Sequence, residues 1–249
     1  MFFDLDRPLD AAQAADWLTA QGMAALSAAA VSALIGRDLA ELTALASSWD
    51  RLPPDAHLRD GGRYRYRRHG SLVQRVGGEP ELAPPRPHWQ PTTYNALHGG
   101  LLRWFEPLDE EMVASSAWLA LVGRLGDLFA RARRPAGDRW FIEAHPFRIT
   151  TEGGVGRPTP EGAHRDGVDF VAVVLVGRSR LRGGETRVFE ADGPRGVRFT
   201  LTEPWSAILL DDARVIHEST PIQPEGDADG HRDTLILTYR SGGFQDPIG

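Results

Sequence analysis

The rhythm of hydrophobic and polar positions changes once along this chain, at Pro135. Ahead of it, apolar residues recur at three- and four-residue spacing, which predicts helices. "AAQAADWLTAQ" behind Asp10 reads as a capped helix, and "AAVSALIGRDLAELTALASSW" as a second one stopped by Pro53 and Pro54. "LDEEMVASSAWLALVGRLGDLFARARR", Leu108 to Arg134, is the strongest helical pattern, with acids at its start and arginines at its end as the helix dipole favours. Between these, "RYRYRRHG" alternates tyrosine with arginine and predicts a strand with a solvated charged face. The Pro-rich "PELAPPRPHWQPTTYN" predicts no regular element. After Pro135, "RWFIEAHPFRIT", "DFVAVVLV", "ETRVFEA", "GVRFTL", "WSAILL", "RVIHES" and "DTLILTYR" follow one another with turn residues between, as in an all-β barrel or sandwich.

No linker composition separates the two halves. A single domain over 1–249 is therefore expected, with a helix-rich part (1–134) packed on a β core (135–249). A chain of 249 residues, 41% of them hydrophobic, can bury a sizeable core. No run reaches the roughly 18 apolar residues of a membrane span. "MFFDLDRPLD" carries acids where an export signal carries bases, so a cytoplasmic location is expected. Cysteine is absent, which excludes disulfides, thiolate metal sites and thiol nucleophiles. All 28 basic residues are arginine, which excludes lysine Schiff bases. A net charge of −6 argues against nucleic-acid binding.

Any metal site must then use His, Asp or Glu. In "AHRDGVDFVAVVLV", His164 and Asp166 stand two apart at the mouth of an apolar strand, so they share a face. His217, in "DDARVIHESTP", is the best second imidazole. Two His and one carboxylate form the facial triad of non-haem Fe(II) oxygenases. Fe(II) with one Asp keeps one positive charge, and bound 2-oxoglutarate makes the site negative. Arg232, opening the strand "RDTLILTY", would restore neutrality with a fork on the far carboxylate. Thr234 shares its face and could add a hydrogen bond. Arg148, in the strand before the His164 loop, is a further candidate for a cosubstrate or substrate carboxylate. His145 is either pocket wall or core. Tyr64, or one arginine of its strand, could close a substrate pocket, and Gln90 and Asn95 could hydrogen-bond a small polar substrate. The Gly- and Pro-rich 151–163 reads as a lid.

The ordered set His164, Asp166, His217 and Arg232 resembles the Fe(II)/2-oxoglutarate-dependent dioxygenases. "HRDGVDFV", "GGETRVFE", "LLDDARVIHESTPI" and "HRDTLILTYR" are similar to the bacterial group that hydroxylates free amino acids, typified by L-isoleucine 4-hydroxylase, with a pipecolic acid hydroxylase among its relatives. "RYRYRRHG" and "QPTTYNALHGGLLRWFEPLD" extend that similarity to roughly residues 60 to 241. The resemblance implies a mainly β fold with flanking helices around a double-stranded β-helix, a cupin-like jelly roll. It implies Fe(II), 2-oxoglutarate and O2 as metal and cosubstrates, and a small free amino or imino acid as substrate. The amine of such a substrate needs an acidic or carbonyl partner, for which Glu143, Asp169 and Glu185 are available. The competing expectations are the same chemistry on a peptide-bound residue or natural-product intermediate, and a non-catalytic jelly-roll module with structural metal.

Overall fold

The computed structural model describes residues 9–95 and 97–247, so most of the acid-bearing start of the chain lies outside the described residues. Helix α1 (Ala11–Gln21) begins at Asp10, whose carboxylate accepts from the Gln13 N–H while the Gln13 side chain returns a bond to the Asp10 N–H. Strand β1 (Met23–Leu26) follows, where no strand was expected. The second helical pattern divides into α2 (Ala28–Ile35), α3 (Leu39–Ala44) and a short 3-10 turn. The break lies at Gly36, which has φ 65° and so ends α2 in the left-handed conformation. Then come β2 (Arg65–Arg67), β3 (Gly70–Arg75) and β4 (Pro80–Leu82). The strongest helical pattern is also interrupted, into α4 (Glu110–Ala114) and α5 (Ser116–Ala132). Ser115 turns extended and caps α5 by accepting from the Trp118 N–H.

The remainder is strand: β5 (Arg139–Thr150), β6 (Phe170–Ser179), β7 (Leu181–Gly183), β8 (Thr186–Glu190), β9 (Gly196–Phe199), β10 (Ala207–Asp211), β11 (Val215–Ser219), β12 (Ile222–Pro224) and β13 (His231–Arg240). The large antiparallel sheet has the order β1-β10-β6-β13-β5-β3-β4, with β2 also paired to β5. A second layer is made by β11-β8-β9 and β12-β7. The fold is the expected one, mainly β with flanking helices around a jelly-roll core.

Alternation along the central strands separates two interiors. Trp140, Ile142 and Ala144 of β5, Phe170, Ala172 and Val174 of β6, and Leu235, Leu237 and Tyr239 of β13 meet α1, α2 and α5 in one core. Val171, Val173 and Leu175 of β6 turn the other way. They pack with Ile208 and Leu210 of β10 and with Val188 and Val215 of the second layer. Helix α5 lies close on the sheet because Gly126 carries no side chain: a Cβ there would stand 1.9 Å from Gln74 Oε1, and the Gly126 carbonyl accepts from Trp140 Nε1 at 2.9 Å. Among the described residues, no helix is long and apolar enough to cross a membrane.

Leu237→Ala, in the helix-facing core, is expected to cost about 2–5 kcal/mol in urea unfolding. Leu102→Ala, at a position 53% exposed, should change stability by less than about 0.5 kcal/mol.

Candidate functional site

The inward-facing residues of β5 and β13 have opposite parity to the core residues, and they open into a cavity of about 130 Å³. Its walls include His164, Asp166, His217, Arg232 and Thr234. His164 and His217 are locked backbone to backbone, each N–H donating to the other's carbonyl at 3.0 Å. Their Nε2 atoms lie 3.8 and 3.7 Å from the two oxygens of Asp166, and the ligand atoms of all three residues lie within 4.8 Å of one another. His164 Nδ1 donates to the Gly162 carbonyl at 2.9 Å, which fixes the tautomer and leaves Nε2 free to bind a metal.

Asp212, fully buried and not anticipated from the sequence, builds the turn that aims Asp166. Its Oδ1 accepts from the Asp166 N–H at 2.9 Å, and its Oδ2 from the N–H groups of Gly167 at 2.8 Å and Val168 at 3.1 Å. Gly167 adopts φ 76°, and a Cβ there would stand 2.4 Å from the Tyr94 ring. Burial raises the Asp166 carboxyl above its ordinary range against the pull of His164. Burial and the neighbouring His164 push His217 down to about 3, so its imidazole is neutral and able to ligate. A divalent cation between the three side chains supplies the charge that the buried carboxylate calls for.

Across the cavity, Arg232 is buried, and its Nε and Nη2 atoms have no hydrogen-bond partner. Burial lowers it to about 10, so it remains a cation at neutral pH. Beside it stand Thr234 and the apolar Val173 and Ile236. A buried guanidinium without hydrogen-bond partners, lining the same cavity as a His-Asp-His triad, fits a dicarboxylate such as 2-oxoglutarate.

The other expected site residues are placed as follows. Gln90 Nε2 donates to Asp166 Oδ1 at 3.2 Å, and Gln90 Oε1 accepts from Arg103 Nη2 at 3.1 Å and from Asn95 Nδ2 at 3.3 Å. Both Gln90 and Asn95 line the cavity. Arg148 does not reach it. It has the parity of Ile142 and Ala144, faces the opposite side of the sheet, and pairs with Asp233 through two 2.8 Å bonds and with Asp50 at 2.9 Å. Tyr64 is also outside the cavity lining, packed with Ile149, Leu181 and Ile222 and bonded through its hydroxyl to Asp60. The arginines of β2 correct the expectation of a solvated face: Arg65 and Arg67 are buried and line the cavity. Arg65 pairs with Asp55 at 2.7 Å. Arg67 lies between the rings of Phe105 and Phe147 and donates to His145 Nδ1 at 2.6 Å. His145 belongs to the pocket wall. Of the acids considered for an amine, Glu143 bonds to His69 and His88, Asp169 to Ser241, and Glu185 to Arg187. Segment 151–163 is tied to the second layer by the Gly156–Ile222 bridge and the Thr159–Ser219 bonds, and it brings Pro158, Thr159 and Glu161 over the cavity.

The model of the 2OG-Fe dioxygenase family matches residues 46–238. A crystal structure of a BsmA homologue from Methylobium petroleophilum PM1 is 60% identical, with TM-score 0.95 and 100% of both chains covered. IDO from Bacillus thuringiensis is 16% identical, with TM-score 0.76 over 98% of this chain and 100% of that one. An oxidoreductase of the 2OG-Fe(II) oxygenase family from Burkholderia pseudomallei is 19% identical, with TM-score 0.54 over 94% of this chain and 91% of that one. These last two likenesses show the shared fold. No curated protein matches the chain.

Asp212→Asn replaces one acceptor with a donor facing the 166–168 turn. It should weaken Fe(II) binding by about 10- to 100-fold in an anaerobic metal titration while leaving the circular dichroism spectrum unchanged.

Proposed function

From the premise that the chain belongs to the 2OG-Fe dioxygenase family and is an Fe(II)- and 2-oxoglutarate-dependent enzyme, we propose that it hydroxylates a small free amino or imino acid. The observation that carries this reading is the shape and charge of the cavity. Its lining includes the buried cation Arg103, which has no carboxylate partner within ion-pair distance among the described residues, and the acid Glu161, which lies 3.7 Å from His164 Nε2 and has no arginine partner among them. A peptide-bound residue would require a groove able to pass two neighbouring chain segments. A structural metal would require protein groups filling its remaining positions. The similarity of "HRDGVDFV", "GGETRVFE" and "HRDTLILTYR" to the free-amino-acid hydroxylases supports the same reading.

His164, Asp166 and His217 would hold Fe(II), which with 2-oxoglutarate and O2 would supply C–H hydroxylation, one oxygen atom going to the substrate and the other to succinate as carbon dioxide is released. The chain's own contribution is placement. Arg232 and Thr234 would hold the far carboxylate of the cosubstrate, in a cavity whose lining also includes the apolar Val173 and Ile236. Gln90 steadies the Asp166 carboxylate from the substrate side. Segment 151–163 contributes Pro158, Thr159 and Glu161 to the cavity lining, where it would limit the access of water to the bound cosubstrate.

His217→Ala should abolish both iron retention, read by metal analysis, and turnover; retained activity would remove the triad assignment. Arg232→Ala should raise the 2-oxoglutarate requirement far more than the substrate requirement. Loss of one partner of a buried charge-assisted pair costs about 2–5 kcal/mol, so a rise of at least about 30-fold is expected. The reading as a whole is tested by succinate release over a panel of free amino and imino acids, with mass detection of a product one oxygen atom heavier. Stimulation only by peptides would replace it.

A further inference from the structure

Two groups of buried ionisable side chains lie beside the triad. In the first, His69, His88, Glu143 and His145 converge within 4.8 Å, but they already satisfy one another. His69 Nε2 donates to Glu143 at 3.0 Å, His88 Nδ1 donates to Glu143 at 3.2 Å, and His145 Nδ1 is held by Arg67. The Arg67 cation against His145 opposes a second metal there.

The second group is Arg103 and Glu161. Arg103 Nε is buried without a hydrogen-bond partner, and so is Glu161 Oε2. The two charges are close enough to influence each other, yet no ion pair joins them among the described residues. Both line the cavity. Glu161 Oε1 lies 3.7 Å from His164 Nε2, while Arg103 is tied through Gln90 to Asp166. Opposite charges lining one cavity are complementary to a small molecule carrying both signs. Of the other arginines in the lining, Arg232 is assigned to the cosubstrate, Arg65 is paired with Asp55, and Arg67 lies between Phe105 and Phe147 against His145; Arg103 is the one tied through Gln90 to the triad, with no carboxylate partner of its own among the described residues.

Resting on the amino-acid reading above, we propose that Glu161 and Arg103 are the specificity-determining pair for the substrate's zwitterion: Glu161 receives its ammonium group and Arg103 its carboxylate. The enzyme therefore rejects N-acylated and peptide-bound forms of its substrate, whose nitrogen carries no charge. Glu161 lies on segment 151–163, so that segment presents the ammonium partner to the cavity.

The test compares the most active free amino acid of the succinate-release panel with its N-acetyl form, its deaminated counterpart and its carboxamide. Wild-type enzyme, Glu161→Gln and Arg103→Gln are measured, with Fe(II) affinity of each determined by anaerobic titration. Wild-type kcat/KM should favour the free amino acid over the N-acetyl and deaminated forms by about 100-fold or more. Glu161→Gln should reduce that preference to less than about tenfold, mainly through KM, with Fe(II) affinity unchanged. Arg103→Gln should instead erase the preference for the acid over its carboxamide. An undiminished preference in Glu161→Gln would overturn the proposal, as would efficient turnover of the N-acetyl form by wild type. Loss of Fe(II) in Glu161→Gln would make Glu161 a metal ligand instead and would also overturn it. If no amino acid stimulates wild-type succinate release, the amino-acid reading itself falls, and the pair falls with it.

Discussion

Strand β13 is hydrogen-bonded on both edges, to β5 and to β6, and its ten residues alternate between two buried environments. The arrangement of this protein depends on that constraint. Leu235, Leu237 and Tyr239 seal the helix-facing core, while Arg232, Thr234, Ile236 and Thr238 form a wall of the cavity. A one-residue slip would exchange the two sets, placing a guanidinium in an apolar core and leucines in the cofactor slot. Packing against α5 and Trp140 therefore fixes the register, and the register places the Arg232 guanidinium in the same cavity as His164, Asp166 and His217.

The cost of this arrangement is concentrated in buried charge. Arg232, Arg103, Glu161 and Asp166 are all removed from much of their water, and each of the first three keeps a buried nitrogen or oxygen without a hydrogen-bond partner. An uncompensated buried ion is destabilising by several kcal/mol, so such groups persist where binding supplies the missing charge. Asp212 is the counterexample within the same site. Its carboxylate accepts three backbone N–H groups, and its burial serves to hold a turn. The site thus contains rigid charges that shape it and unpaired charges that await ligands.

Much of this could be read from the residues. The triad was legible because His164 and Asp166 share a face by strand parity, and the long apolar runs of β6 and β13 marked buried strands. Parity was equally available for Arg148. It alternates in step with Trp140, Ile142 and Ala144 and so belongs to the face away from the cavity, where Asp233 neutralises it. Strand β1 was hidden because the four residues "MAAL" between two helices carry no strand signature, and only pairing with β10 makes them one. Arg65 and Arg67 looked solvated because a charge run usually is; their burial depends on Asp55, Phe105 and Phe147, which are distant in sequence. Asp212 and Glu161 act from a turn and a loop, where no periodicity reports direction.

The central claim is that one cavity joins the triad to a guanidinium that reads a second carboxylate. Anaerobic titration of the Fe(II)-loaded protein with 2-oxoglutarate and with pyruvate tests it most directly, since pyruvate has the same 2-oxo acid end without the far carboxylate. The account predicts that 2-oxoglutarate binds at least about 30-fold more tightly than pyruvate, and that the difference disappears in Arg232→Ala. Equal affinity of the wild-type protein for the two acids would contradict it.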